Sequence, residues 1–182
     1  FARELYSSRT FTISALEASE DWFTLTTVGT SGTNPVTLSQ PAAAPSLTNG
    51  YTVKYSKDGT GEATETVPTE AGKYLVTVDI TADGYAKETL TLGYYTILSS
   101  DQSGSVVLSF ITYGGNAIEP LVWSSNESNE SNDKTAPADP TRNGYTFAGW
   151  YTDTSLRTKA TLGENNSISK PVASTTWYAQ WT

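Results

Sequence analysis

Hydrophobic and polar residues alternate along much of the chain, which is the pattern of half-buried β-strands. In the stretch YLVTVDITA, Tyr74, Val76, Val78 and Ile80 fall on one face, and the intervening residues fall on the other. An antiparallel sheet with one packed face and one solvated face gives this period of two. The stretch therefore predicts an antiparallel strand with one buried face.

Other short stretches before residue 98 have the same character. FTLTTV, NPVTLSQ, GYTVKYSKDGTGEA and AKETLTLGYYTIL bring the total to about six or seven predicted strands. The ADGY segment at 82–85 predicts a type I′ hairpin turn, and Gly93 predicts a β-bulge. Many short strands joined by turns indicate a β-sandwich.

Helical periodicity is scarce along the chain. The best candidate is ISALEASEDWF at 13–23, whose spacing is ambiguous and whose length is too short to decide between helix and strand. The sequence therefore predicts an all-β fold.

A polar interruption divides the chain. SSDQSGS at 99–105 has almost no hydrophobic residue, as expected of a linker. We predict an N-terminal extension at 1–9, a β-sandwich at 10–98, a linker at 99–104 and a second module at 105–182. Four of the five tryptophans (Trp123, Trp150, Trp177 and Trp181) lie in the second module, where large aromatic residues can fill a small core.

Composition excludes several functional classes. The chain has no cysteine and no histidine, which removes disulfides, thiolate chemistry, and the commonest general base and metal ligand. Its net charge is −8 with no basic patch, so we expect no nucleic-acid partner. No apolar run is long enough to span a membrane, so we expect no membrane insertion. We expect no enzymatic activity, no cofactor and no metal site.

Methionine is also absent, even at position 1. Phe1 is therefore not expected to be a native translation start, and we interpret the chain as a processed product or a fragment of a longer protein.

The densest aromatic run is PADPTRNGYTFAGWYTD at 137–153. One interpretation is a platform for sugar rings, with Asp139 and Asp153 bonding hydroxyl groups. The favoured alternative is a module core, because period two places Tyr145 and Phe147 together and a register shift at Gly149 would bring Trp150 to the same side. Tyr151 is then the ring left outside.

The closing run TWYAQW is interpreted in the same way. Trp177, Ala179 and Trp181 share the predicted core face, whereas Tyr178 and Gln180 lie on the other. Tyr151 and Tyr178 are therefore the candidate exposed aromatic pair for binding a partner.

Acidic residues offer further candidates for chemistry. Glu127, Glu130, Asn132 and Asp133 in NESNESND have the oxygen ligands that calcium prefers, but a solvated loop is favoured because the spacing matches no EF-hand. Asn126 and Asn129 each begin an Asn-Glu-Ser sequence, the pattern of a glycosylation acceptor, and Asn129 is the one that could be checked by mass.

Two groups of carboxylates and two lysines in predicted strands are candidates for hydrolytic or cross-linking chemistry. Glu62 with Glu65, and Glu17 with Glu20 and Asp21, are close enough in sequence for glycosidase chemistry, but solvated faces are the favoured interpretation. Lys54 and Lys73 lie in strand contexts, where some surface Ig-like modules have intramolecular Lys–Asn isopeptide links, but the sequence names no asparagine partner.

Four motifs in the second module resemble the Listeria–Bacteroides repeat, the B-repeat module of internalin-type bacterial surface proteins. They are YGGN at 113–116, APADPTRNGYTFAGWYTD at 136–153, SLRTKA at 155–160 and TTWYAQW at 175–181. Trp177 stands where the family usually has leucine. The resemblance implies a small β-grasp-like fold and a non-catalytic module of a secreted or surface-anchored protein.

The first module is similar to bacterial Ig-like modules. The similarity rests on VPTEAGKYLVTVDITADGY at 67–85 and YYTI at 94–97. Together the two resemblances imply an extracellular or cell-surface stalk, spacer or adhesion surface, with a host, matrix or cell-surface protein or glycan as partner. The alternative is a carbohydrate-binding module of a surface glycan-processing system.

Overall fold

The computed structural model describes residues 14–125 and 133–182, and within these ranges it is built almost entirely of β-strands. The strands are β1 (Phe23–Leu25), β2 (Val28–Gly29), β3 (Val36–Leu38), β4 (Tyr51–Lys57), β5 (Gly72–Ile80), β6 (Thr89–Ile97), β7 (Val106–Ile111), β8 (Leu121–Trp123), β9 (Asp133–Thr135), β10 (Phe147–Tyr151), β11 (Ser167–Ser169) and β12 (Thr175–Trp181). The predicted all-β class is confirmed.

The first module consists of a four-stranded sheet covered by a two-stranded one. The larger sheet has the order β2-β6-β5-β4, in which β2 lies parallel to β6 and the other neighbours are antiparallel. Antiparallel β1 and β3 form the second sheet. Tyr74, Val76, Val78 and Ile80 of β5 are all buried in the core between the sheets, as the alternation predicts.

The second module has a mixed sheet in the order β10-β12-β7-β8. Its first and last strands, β7 and β12, lie parallel at the centre, and β8 and β10 flank them antiparallel. This strand order is that of a β-grasp sheet, as the family resemblance implies. A small pair, β9 with β11, contributes Ile168 to the core on one face of the sheet.

Both glycines predicted to disturb a strand do so. The register of β5 and β6 shifts at Val76–Thr77, opposite Gly93, and that of β10 and β12 shifts between Phe147 and Gly149. Gly93 has φ +133° and Gly149 has φ +126°, values that a residue with a side chain rarely adopts. The second shift places Trp150 in the core, where it is 6% exposed.

The stretch at 13–23, which the sequence left undecided, has no α-helix in its described residues 14–23. Glu20–Trp22 is a single 3-10 turn, and Leu16 pairs with Tyr85 in a parallel bridge. The predicted hairpin turn at 82–85 is wrong, because β5 ends at Ile80 and β6 begins only at Thr89. The chain uses this longer connection to pair with the segment around Leu16, which donates its N–H to the Gly84 carbonyl.

The predicted linker is short and ordered in the structure. Ser100–Gln102 forms a 3-10 turn that Ser99 and Gln102 cap reciprocally through side chain and backbone. Each sheet takes all its strands from one side of this turn. The domain boundaries at 98 and 105 stay a prediction.

The two modules pack against each other through β6 and β7. On β6, Tyr94 and Thr96 face away from the first core yet are only 8% and 3% exposed. On β7, Val107 and Ser109 face away from the second core and are 0% and 1% exposed. A Cβ added at Gly93 would lie 3.1 Å from Ile111 Cδ1, so the two strands approach closely. We call these facing surfaces the inter-module interface.

Polar contacts flank the inter-module interface. The hydroxyls of Thr27 and Thr176 are hydrogen-bonded at 2.9 Å, and Lys73 forms an ion pair with Glu119. An ion pair this exposed contributes little to stability. Burial of the β6 and β7 faces is therefore the main contribution to docking.

Candidate functional site

The aromatic run at 145–151 contributes to the core of the second module, with one exception. Trp150 packs against Phe110 and Phe147, with ring centroids 4.9 Å and 5.2 Å apart. Tyr145 is 52% exposed, so its predicted place in the core is wrong. The reason is that β10 begins only at Phe147, so Tyr145 precedes the strand. Its ring instead lies under the Arg142 guanidinium, with 4.0 Å between the ring centroid and Arg142 Cζ.

The closing strand follows its predicted alternation. Trp177 and Ala179 are buried, and Trp181 packs against the same core. The indole of Trp181 donates a hydrogen bond of 2.7 Å to the Thr112 carbonyl. A Cβ on Gly115 would lie 2.6 Å from that indole, which explains why the YGGN turn needs a glycine there.

Tyr151 and Tyr178, the predicted binding pair, are cross-strand neighbours on β10 and β12, and both are half-buried. Tyr178 stacks on Tyr113, with centroids 6.1 Å apart and an interplanar angle of 18°. That Tyr151 and Tyr178 bind a partner stays a prediction. The structure adds Tyr113, which the sequence presented only as part of a turn.

Tyr113 and Tyr178 line a cleft of about 380 Å³ between the two modules. The floor is apolar and includes Leu25 and Leu92 of the first module and Ile111 of the second. The polar lining consists of Glu20, Asp21, Thr24 and Thr154. Both modules are therefore needed to form this cleft.

A second cleft of about 410 Å³ adjoins the first, and the two share Glu20, Asp21, Tyr113 and Thr154. It continues past Arg142, Tyr145 and Leu156 to Gln180 and Trp181. We call the two clefts together the inter-module groove. The carboxylates of Glu20 and Asp21 therefore lie where the two clefts meet, whereas the Arg142 guanidinium and the Gln180 amide line the second cleft alone.

The hydroxyl of Tyr113 is held in its protonated form. Burial, the neighbouring Tyr178 and the charge of Asp21 together raise the pKa of Tyr113 to about 12. Burial also raises the pKa of Tyr178. Both side chains are therefore neutral phenols at physiological pH.

The loop that supplies Thr154 and Leu156 is held by Asp153. Its carboxylate accepts hydrogen bonds from the Ser155 hydroxyl at 2.5 Å and from the Thr158 N–H at 2.7 Å. These bonds, with that from the Arg157 N–H, lower the pKa of Asp153 to about 2. Asp153 thus positions the loop, whereas the sequence suggested it as a sugar-binding residue.

Asp139, Glu62 and Glu65, which the sequence also suggested, do not lie in a cleft with Tyr178. Asp139 lines a separate cleft of about 240 Å³ beside Phe147 and Trp150. Glu62 and Glu65 belong to the first module, where Glu62 lies near Tyr74 in one cleft and Glu65 near Tyr51 in another. The interpretation of Glu20 and Asp21 as a mere solvated face is incomplete, because both line the inter-module groove.

Lys54 and Lys73 both have carboxylate partners. Lys54 Nζ lies 2.7 Å from Asp79 Oδ2, and Lys73 pairs with Glu119. The hydrogen bond to Lys54 holds the pKa of Asp79 below its usual value, and the same contact raises the pKa of Lys54. A Lys–Asn isopeptide link requires a neutral lysine amine that attacks an asparagine amide, so the contact with Asp79 favours an ordinary ion pair for Lys54.

Part of the acidic loop lies outside the described residues, namely Asn126, Glu127, Asn129, Glu130 and Asn132. The calcium and glycosylation candidates therefore stay predictions, as does the N-terminal extension at 1–9. Within residues 14–125 and 133–182 no three acidic side chains come together as a metal site would require. In the same ranges, no helix is both long and apolar enough to cross a membrane.

Comparison with known families bears on the second module. Residues 107–180 match the family model of the Listeria-Bacteroides repeat domain. The match supports the resemblance found for this module, and the family is one of non-catalytic modules typical of bacterial surface proteins. The Ig-like resemblance of the first module has no such match and stays a prediction. No curated protein and no solved structure matches the chain.

Proposed function

We propose that this chain is a non-catalytic module pair of a secreted or cell-surface bacterial protein, acting as a rigid spacer that also presents an adhesion surface. The match of residues 107–180 to a surface-protein repeat supports the general role. The observation that carries the spacer role is the inter-module interface, because Val107, Ser109 and Thr96 are nearly inaccessible there. A hinge at 99–104 would expose these residues.

The spacer role is tested by measuring the distance between spin labels on the two modules. The chain has no cysteine, so engineered ones are labelled without background. Asp83→Cys and Val172→Cys place labels on exposed positions of the first and second modules. The matched control pair, Glu62→Cys with Asp83→Cys, lies wholly within the first module and gives the width due to the label alone.

We expect the inter-module distance distribution to be as narrow as that of the control pair. A broad or multimodal distribution would show that the modules move about a hinge, and the proposal of a rigid spacer would then be abandoned.

A second candidate function is carbohydrate binding. It is favoured by the inter-module groove, which combines stacked tyrosine rings with polar side chains of both modules. The inter-module groove would also fit an adhesion surface whose partner is a glycan.

A further inference from the structure

Two residues of the inter-module groove have a backbone conformation that their side chains disfavour. Within the described residues, six residues other than glycine have positive φ: Asn49, Asp58, Tyr113, Leu156, Asn165 and Asn166. Asn and Asp tolerate this conformation, whereas a tyrosine or leucine is strained in it. Tyr113 (φ +46°) and Leu156 (φ +53°) both line the groove. Strain of about 1–3 kcal/mol per residue persists where a function requires it.

The ring of Tyr113 contributes to a flat aromatic wall of the groove. The ring lies nearly parallel to that of Tyr178, and together they form one wall of the first cleft. Flat aromatic walls stack against the apolar C–H face of a sugar ring, and large rings do so at little entropic cost. The apolar floor from Leu25, Leu92 and Ile111 suits the same kind of surface.

The polar groups of the groove select against a charged ligand. Glu20 and Asp21 would repel an anion, and Arg142 would repel a cation farther along. Sugar hydroxyls both donate and accept, so they can bond to the carboxylates where the clefts meet and to Arg142 and Gln180 in the second cleft. Tyr113, which lines both clefts, adds a phenol hydroxyl.

We propose that the inter-module groove binds a neutral oligosaccharide, with the Tyr113–Tyr178 pair as its stacking wall and Asp21, Thr154 and Arg142 as hydrogen-bonding partners. The two adjoining clefts form an elongated site of a size typical of ligand pockets, suited to a chain of sugar rings. This inference rests on the proposed surface role and names the ligand class for the adhesion surface.

Titration calorimetry with neutral hexasaccharides (cellohexaose, xylohexaose, laminarihexaose and mannohexaose) at millimolar concentration tests the proposal. We expect at least one to bind the full chain. Tyr113→Asn should weaken that binding tenfold or more, because it removes the ring while asparagine still accepts the positive φ. Thr154→Val should weaken it several-fold. Leu162→Asn, which changes an exposed apolar residue of the second module outside both clefts, is the matched control and should leave the affinity unchanged.

Three outcomes would overturn the site: no neutral hexasaccharide binds, Tyr151→Ala removes binding that Tyr113→Asn leaves intact, or tetralysine binds in its place and Asp21→Asn abolishes that. Each variant is checked for folding by the spin-label distance described above. A narrow distance without sugar binding removes the ligand proposal and leaves the rigid spacer standing. A broad distance distribution that narrows when the sugar binds removes the rigid spacer and leaves the groove as the binding site.

Discussion

At the scale of single residues, the inter-module interface contains two buried hydroxyls without partners. Thr96 Oγ1 and Ser109 Oγ find no hydrogen-bond partner among the described residues, although both residues are almost fully buried. A buried polar group without a hydrogen bond costs free energy. The inter-module interface is therefore less stable than it would be with apolar residues of the same shape at these two positions.

Replacing Thr96 with valine should raise the free energy of unfolding by about 1 kcal/mol, because the shape is kept and an unsatisfied hydroxyl is removed. Thr112 is the matched control: it is 2% exposed, and its hydroxyl donates to the Gly115 carbonyl at 2.9 Å. Thr112→Val should lower the same free energy by about 1 kcal/mol. Urea unfolding followed by tryptophan fluorescence measures both, and a loss of stability in Thr96→Val would contradict the expectation.

Residue-level reasoning from sequence succeeded where one face of a strand is buried. The alternation in β5 and the register shift at Gly149 follow from local pattern and backbone freedom. Tyr145 could not be placed in this way, because it precedes β10 and its ring is held by Arg142 rather than by strand geometry. Tyr113 was missed because its role depends on Tyr178, which is distant in sequence.

At the scale of elements, the bulge in β6 allows the two modules to approach closely. Gly93 lies at the register shift with φ +133°, and a side chain there would press on Ile111 and on the Phe110 carbonyl, 3.3 Å from the added Cβ. The bulge was predictable from the interrupted alternation. Its contact with β7 was not, because alternation within a strand carries no information about a second module.

Gly93→Ala should therefore destabilise the protein more than an alanine placed at a strained but open position. Gly84 provides that control: it has φ +83°, and nothing lies within 4 Å of an added Cβ. Gly84→Ala should cost about 1–2 kcal/mol from backbone strain alone. Gly93→Ala should cost about 1–3 kcal/mol more because it overpacks the interface. Equal losses in urea unfolding would mean that β6 and β7 are not in contact.

At the scale of the whole molecule, the interface couples the two cores. The face of β6 that points away from the first core is covered by the second module, and the corresponding face of β7 is covered by the first module. Neither module can therefore unfold without exposing apolar surface of its neighbour. The sequence suggested two units separated by a polar linker. The sequence could not show that the two modules dock. A short polar segment such as 99–105 can form either a capped turn or a flexible hinge, and its composition does not distinguish them.

Scanning calorimetry of the full chain should accordingly show one transition, with the calorimetric enthalpy equal to the van't Hoff enthalpy. Its midpoint should change little with salt, because the Lys73–Glu119 ion pair is exposed and contributes little. Two resolved transitions would indicate modules that unfold independently. The Gly93→Ala variant is the informative comparison, since weakened docking should broaden or split the peak.

The parallel pairing of β7 and β12 has a mechanical consequence. These strands are hydrogen-bonded neighbours that run in the same direction. β7 starts at Val106, and β12 ends at Trp181. A pulling force applied at the start of β7 and the end of β12 therefore slides the strands along each other. Several hydrogen bonds must then break together, whereas an antiparallel hairpin pulled from its open end would separate one bond at a time. Tension along a surface protein would thus meet its strongest resistance at the centre of this sheet.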